Sequence, residues 1–108
     1  MHLDREWAEA IVQRARETLA AEAEAGGQAE LCRFFEAQLD GVSNLPAYAE
    51  LARRLGKTEN ALNVALYRMR ARYEWLLTRE IQSTLADSSR WQEEREYLLR
   101  VLEQSPTQ

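Results

Sequence analysis

A chain of 108 residues with 45% hydrophobic and 30% charged residues is long enough for one modest core and too apolar to be disordered. Its net charge is −4 at pH 7, and its single cysteine, Cys32, excludes an internal disulfide. The first residues lack the layout of a secretory signal, and no apolar run approaches the length that spans a membrane. We therefore expect a cytoplasmic protein.

Helix formers dominate the composition. Only two prolines and four glycines interrupt a sequence rich in Ala, Glu, Leu and Arg, and no segment alternates as a strand would. This predicts an all-α fold of five helices packed as one domain. We assign residues 1–45 to an N-terminal helical hairpin, 46–86 to a helix-turn-helix with a long recognition helix, and 87–108 to a C-terminal helix.

The hairpin is predicted from two amphipathic stretches. The first helix should begin near Asp4, which suits an N-cap, and run to about Glu24, since Gly26 and Gly27 end it. The second should span 28–39. Their apolar faces contain Leu3, Trp7, Ile11, Ala15, Leu19, Leu31, Phe34, Phe35 and Leu39.

The helix-turn-helix follows an irregular link over residues 40–46. Its first helix is predicted over 47–55, Gly56 can adopt the positive φ of a sharp turn, and Thr58 suits the cap of the next helix. A small residue at Ala52 lets the two helices approach closely. The residues predicted to face inward are Tyr48, Leu51, Ala52, Leu55, Ala61, Leu62, Ala65, Leu66 and Met69.

The fourth helix is predicted to be long because nothing breaks it before Asp87. Its buried stripe continues through Tyr73, Leu76, Leu77 and Ile81. Residues 87–89 offer a turn and a cap for a last helix over 89–103. That helix places Trp91, Glu94, Tyr97, Leu98, Val101 and Leu102 in the packing register. We expect all three tryptophans, Trp7, Trp75 and Trp91, to anchor the core.

The charge is divided unevenly along the chain. Residues 1–46 hold four arginines against nine acidic residues, residues 47–79 hold seven basic residues against three acidic ones, and residues 80–108 hold three against six. A basic segment of net charge +4 between two acidic ones is typical of a protein with one side facing DNA. The alternative is that the arginines only solvate a long helix.

Base edges are read by exposed residues in the first turns of a recognition helix. The side-chain amides of Asn60 and Asn63 can form hydrogen bonds with an adenine edge, and the Glu59 carboxylate can accept one from the amino group of cytosine. Lys57 and Thr58, at the positive end of the helix, suit a phosphate. Tyr67 is either a DNA contact or a packing residue. Further contacts with the phosphate backbone of DNA are predicted for Arg53, Arg54, Arg68, Arg70 and Arg72.

Residues 68, 70 and 72 spread around a wide arc of a helix, so at most two of these arginines can face one run of phosphates. The third is expected to pair with an acid such as Glu74 or to meet solvent.

The sequence offers little for catalysis. It has one histidine, His2, one cysteine without a nearby base, no glycine-rich phosphate loop, and acids spread over helix faces. We expect no enzyme, no cofactor and no metal, and we interpret Cys32 as a small buried hydrophobic residue.

The motif Tyr48-Ala-Glu-Leu-Ala-Arg-Arg-Leu-Gly, followed from Thr58 by Thr-Glu-Asn-Ala-Leu-Asn-Val-Ala-Leu-Tyr-Arg-Met-Arg-Ala-Arg-Tyr, resembles region 4 of sigma-70-type RNA polymerase sigma factors. The likeness is strongest to extracytoplasmic-function-like sigma proteins and covers roughly 46–81. It implies recognition of the minus-35 promoter element in the major groove and docking on the polymerase beta flap, with an anti-sigma or other regulatory protein as a further partner.

The resemblance implies DNA contacts from Arg53, Arg54, Thr58, Glu59, Asn60, Asn63, Tyr67 and Arg68. The chain departs from the family pattern at Lys57, where an apolar residue is usual, and at Asn63 and Tyr67, where basic residues are common. No region 2 is recognisable, so the chain is interpreted as a domain of a longer sigma protein or as a stand-alone relative.

Three functions remain open on the sequence. The first is a promoter-recognition domain. The second is a sigma-like module that binds polymerase or a regulator without specific DNA binding. The third is a dimeric repressor, for which the final helix is the candidate dimer surface.

Overall fold

The computed structural model describes residues 5–84 and 91–103, and these residues are all-α, as predicted. The helices are α1 (Arg5–Ala25), α2 (Ala29–Leu39), α3 (Tyr48–Leu55), α4 (Glu59–Thr84) and α5 (Trp91–Glu103). Each described boundary lies within about three residues of the predicted one, which is the usual uncertainty of a helix end. The predicted caps at Asp4 and at residues 87–89, and the apolar Leu3, lie outside the described residues.

Helix α4 is the central element of the fold. Its 26 residues span about 39 Å at a rise of 1.5 Å per residue. It contacts α1, α2, α3 and α5, and α1 also contacts α2. This arrangement follows from one continuous apolar face, because helical periodicity keeps these side chains on the same side. The buried residues of α4 are Leu62, Leu66, Met69, Tyr73, Leu76, Leu77 and Ile81.

Helices α1 and α2 cover that face. Ile11 and Ala15 of α1 are fully buried. Phe35 of α2 meets Tyr73 edge-to-face, with ring centroids 5.7 Å apart. Burial raises the pKa of the Tyr73 phenol to about 12. Cys32 is buried beside them, and burial also raises the pKa of its thiol to about 11, so it behaves as the small hydrophobic residue we predicted.

A polar cluster joins α1 to the end of α2. The Arg16 guanidinium donates to both carboxylate oxygens of Asp40, at 2.8 and 3.0 Å, and its Nε donates to Glu36 at 3.1 Å. The hydrogen bonds from Arg16 hold the pKa of Asp40 below its ordinary value. Two carboxylates thus compensate one guanidinium that is only 20% exposed.

The prediction for the tryptophans is wrong at Trp75, whose side chain is 45% exposed. Trp7 is half-buried against the core, and the side chain of Trp91 lies outside the described part. The neighbours Leu76 and Leu77 occupy the covered face of α4. One residue advances the direction by about 100°, so Trp75 points away from that face.

Three other positions differ from the predicted burial. Ala61 is exposed, and it lines a groove together with residues of the end of α1. Tyr48 is 37% exposed, although its ring packs edge-to-face on Phe34 at 5.9 Å. On α5, Tyr97 lies at the surface while Leu98 is fully buried. Leu98 is therefore occupied within the fold and unavailable to a dimer surface.

No helix in the described ranges combines the length and the apolar character needed to cross a bilayer.

Replacing Ala52 by leucine should destabilise the protein. Ala52 is 3% exposed in α3, and added methyl groups in a packed core cost about 1–3 kcal/mol. The free energy of unfolding is measured by urea denaturation, with circular dichroism as the signal. Ala49 is exposed on the same helix, so Ala49→Leu is the matched control and should change stability by less than about 0.5 kcal/mol. Equal losses in both variants would contradict close packing at residue 52.

Stability should fall as the pH drops through the folded-state pKa of Asp40. That pKa is lowered by Arg16, so the carboxylate contributes stability above its unfolded pKa and loses it on protonation. Unfolding midpoints measured between neutral and acidic pH should therefore show a smaller acid-induced loss for Asp40→Asn than for wild type. The same pH dependence in both proteins would contradict this role.

Candidate nucleic-acid interface

The turn between α3 and α4 is built by Gly56. Its φ of 68° lies in the left-handed region, which a glycine adopts without the Cβ penalty of other residues. The Gly56 N–H donates to the Arg53 carbonyl at 3.2 Å, and the Lys57 N–H donates to the Ala52 carbonyl at 2.8 Å. These bonds close the end of α3 and redirect the chain within three residues, as the sequence predicted for Gly56.

Thr58 caps α4. Its Oγ1 accepts a hydrogen bond from the Ala61 N–H at 3.0 Å, and its carbonyl accepts one from Leu62 at 2.9 Å. The hydroxyl predicted to hold a phosphate is thus engaged in the helix cap. The N–H groups of Glu59 and Asn60, in the first turn of α4, have no carbonyl within the helix to donate to. They are the donors that this end of α4 offers to an anion.

The first half of α4 presents a row of exposed side chains, which we call the recognition row. Its members are Asn60, Asn63, Val64 and Tyr67, opposite the buried Leu62, Leu66 and Met69. Tyr67 is 75% exposed, so its side chain is not a packing residue of the core. Glu59 is exposed at the start of the row.

A groove lies on each side of the recognition row. One groove is lined by Tyr48, Asn63, Tyr67 and Arg70, together with residues of α2. The other lies between α4 and the end of α1. Its polar lining consists of Glu22, Gln28, Lys57, Arg68 and Arg72. The structure therefore brings Asn63, Tyr67 and Arg70 together on one side, and Lys57 and Arg68 on the other.

The two arginines of α3 are engaged by acids. Arg53 pairs with Glu50 of its own helix, Nη2 to Oε2, at 2.6 Å, and Arg54 pairs with Glu30 of α2. Both arginine side chains are exposed. Exposed ion pairs of this kind contribute roughly 0–1 kcal/mol, so a phosphate can replace either carboxylate at little cost.

The arginines of α4 have separate surroundings. Arg72 donates to Glu22 of α1 from Nε at 2.9 Å and from Nη2 at 2.6 Å. One of the three arginines therefore pairs with an acid, as predicted, but the acid is Glu22 of α1 and not Glu74. This pairing raises the pKa of Arg72 and lowers that of Glu22. The Arg70 guanidinium lies 5.7 Å from the Phe35 ring centroid. Within the described ranges, Arg68 and Arg70 form no ion pair.

Sequence reasoning missed Trp75 as a surface residue. The Arg72 and Arg79 guanidinium carbons lie 4.3 and 5.0 Å from its ring centroid. The signal was present in the spacing, because residues three before and four after a helical residue are its neighbours on the same face. An aromatic residue between two arginines at that spacing indicates an exposed stack as readily as a core anchor.

Comparison with known protein families, with curated proteins and with solved structures gave no match.

Replacing Thr58 by alanine should lower the free energy of unfolding by about 1 kcal/mol, because it removes the side-chain cap of α4. Thr58→Ser keeps a hydroxyl at the same place and should retain most of the stability. Urea denaturation of both variants makes the comparison. A Thr58→Ser variant as unstable as Thr58→Ala would show that the Thr58 methyl group matters more than the cap.

Proposed function

We propose that this chain is the DNA-binding domain of a transcription initiation factor that recognises a promoter minus-35-like element in the major groove and docks on RNA polymerase. The observation that carries the proposal is the exposed recognition row at the start of α4, next to Arg68 and Arg70, which form no ion pair in the described residues. The resemblance of residues 46–81 to sigma region 4 supports the same function.

The recognition row has the chemistry that base reading requires. A major groove about 12 Å wide admits one α-helix. Asn63 is exposed between Tyr67 and Asn60 on adjacent turns, so its amide is accessible to an adenine edge. Val64 is 40% exposed in the same row and offers methyl groups to a thymine.

Basic residues flank the row on both sides. Lys57 and Arg68 lie along one groove and Arg70 lies along the other. Arg53 and Arg54 are exposed at the end of α3, just before the turn. Cations on both sides of a helix match the two phosphate strands that border a major groove, and their neutralisation of phosphates releases counterions.

The resemblance also implies docking on the polymerase beta flap and control by an anti-sigma or other regulatory protein. Docking requires a protein-binding surface that stays accessible while α4 lies on DNA. The proposed cytoplasmic location and the role without catalysis are the expectations from the sequence alone.

A sigma-like module that binds polymerase or a regulator without specific DNA binding is the second candidate. It is favoured by the carboxylates that engage Arg53, Arg54 and Arg72, and by the absence of basic side chains at Asn63 and Tyr67. Both features reduce the positive charge available to phosphates.

The first test is selection of bound sequences from a random pool of duplex DNA, with titrations at low and moderate salt. We expect an enriched motif and an affinity that falls steeply with salt. Asn63→Ala should relax the preference at one base pair, at a cost of about 1–3 kcal/mol in discrimination. Arg70→Ala should weaken binding to all sequences and lower the salt slope by about one.

Arg5→Ala is the matched control for lost charge. Arg5 is exposed at the start of α1, seventeen residues before Glu22, which places it about 26 Å along the helix from the groove beside α4. Its loss should leave DNA affinity unchanged. An absence of DNA binding at low salt, with polymerase retained even after charge reversal at Arg53 and Arg54, would replace the proposal by the second candidate.

A further inference from the structure

We propose that Trp75 and Arg79, on the second half of α4, form a binding site for a carboxylate side chain of an acidic protein segment. We call these two residues the indole–guanidinium site. It lies outside the recognition row and does not rest on the proposed DNA binding.

The site begins with an exposed indole that two guanidinium groups approach. Trp75 is 45% exposed, and Arg72 and Arg79 approach its ring to 4.3 and 5.0 Å from the centroid. Cation–π attraction holds a guanidinium near an aromatic face. A guanidinium held in this way loses less freedom when it binds, because its orientation is already restricted.

Arg72 shows what a guanidinium beside this indole does with a carboxylate. While it stacks at Trp75, its Nε and Nη2 donate to the two oxygens of Glu22 at 2.9 and 2.6 Å. This is the bidentate arrangement in which arginine recognises carboxylates with the best geometry. The fold therefore contains, within one chain, a carboxylate bound to a guanidinium that is stacked on Trp75.

The Arg79 guanidinium lies beside the same indole ring, but no carboxylate of the described residues pairs with it. It is exposed, and in the part of the chain that the structure describes it forms neither an ion pair nor a hydrogen bond. Its donors are thus available to an external acid. The exposed part of the Trp75 ring offers apolar surface to the methylene groups of an aspartate or glutamate. Tryptophan and arginine are also the residues most enriched among those that dominate protein interfaces.

Charge and distance favour a carboxylate of a protein over the phosphates of DNA. Arg79 follows Arg68 by eleven residues, about 16 Å along the helix axis, so it lies well beyond the recognition row. The carboxylates Glu22 and Glu80 lie on α1 and α4 beside this stretch. These two acids repel a continuous row of phosphates more strongly than they repel a single incoming carboxylate.

The test is an NMR titration of the ¹⁵N-labelled full chain with a short polyglutamate peptide, observing the Trp75 indole N–H and the Arg79 Nε–H. Trp75→Phe assigns the indole signal. We expect saturable shifts of both signals with polyglutamate, no shift with polyglutamine of the same length, and smaller shifts with duplex DNA at equal charge concentration.

Two variants separate a shaped site from diffuse charge. Arg79→Lys keeps the charge but loses the planar fork, and should weaken polyglutamate binding about fivefold. Trp75→Ala should weaken it by a similar factor. Arg33→Ala is the matched control, because Arg33 is exposed, likewise without an ion pair in the described residues, and has no aromatic stack. It should leave the affinity unchanged.

The proposal is overturned if Arg79→Lys binds as wild type does, or if Arg33→Ala weakens binding as much as the Arg79 variant. If duplex DNA shifts the same two signals with higher affinity than polyglutamate does, this stretch of α4 is a phosphate contact instead. Circular dichroism checks folding. If Trp75→Ala does not fold, the comparison of Arg79→Lys with Arg33→Ala decides the question alone.

Discussion

The burial of one continuous apolar face along α4 is the constraint on which the rest of the structure depends. Residues from Leu62 to Ile81 keep that face in register over more than five turns, and four other helices contact this helix. Because a helix fixes the directions of its side chains relative to one another, Asn63, Tyr67 and Trp75 point away from that face, and the structure leaves all three exposed. Both the recognition row and the indole–guanidinium site are consequences of that geometry.

The surface charges show a second level of organisation. The segment 47–79 carries a net charge of +4, yet Arg53, Arg54 and Arg72 are engaged by Glu50, Glu30 and Glu22. Two of these acids belong to α1 and α2, so the acidic N-terminal helices compensate part of the basic segment. Since exposed pairs are weak, they orient the arginines without making them inaccessible to a stronger anionic partner.

The two proposed sites lie on one rigid element but differ in what limits them. At the start of α4, specificity would come from the uncharged recognition row, which offers amide hydrogen bonds and apolar contacts to its partner. The basic residues lie only at the sides of that row. Toward the end of α4, binding would come from one preorganised guanidinium and one indole. A single long helix can therefore present two different kinds of side-chain chemistry at separate places along its axis.

Local sequence signals were sufficient for the elements themselves. Helix formers and the 3.6-residue period determined the five helices, glycine at position 56 determined the positive φ of the turn, and Thr58 determined the cap, since each depends on residues only a few positions apart. The exposed positions Asn63 and Arg68 also followed from the period. The structure alone decided that Trp75 and Ala61 are exposed, that Tyr67 points to solvent, and that Arg72 pairs with Glu22, fifty residues away in sequence. A helical pattern states which residues share a face, but which faces become covered depends on where the neighbouring helices pack, and that is determined by contacts between distant parts of the chain.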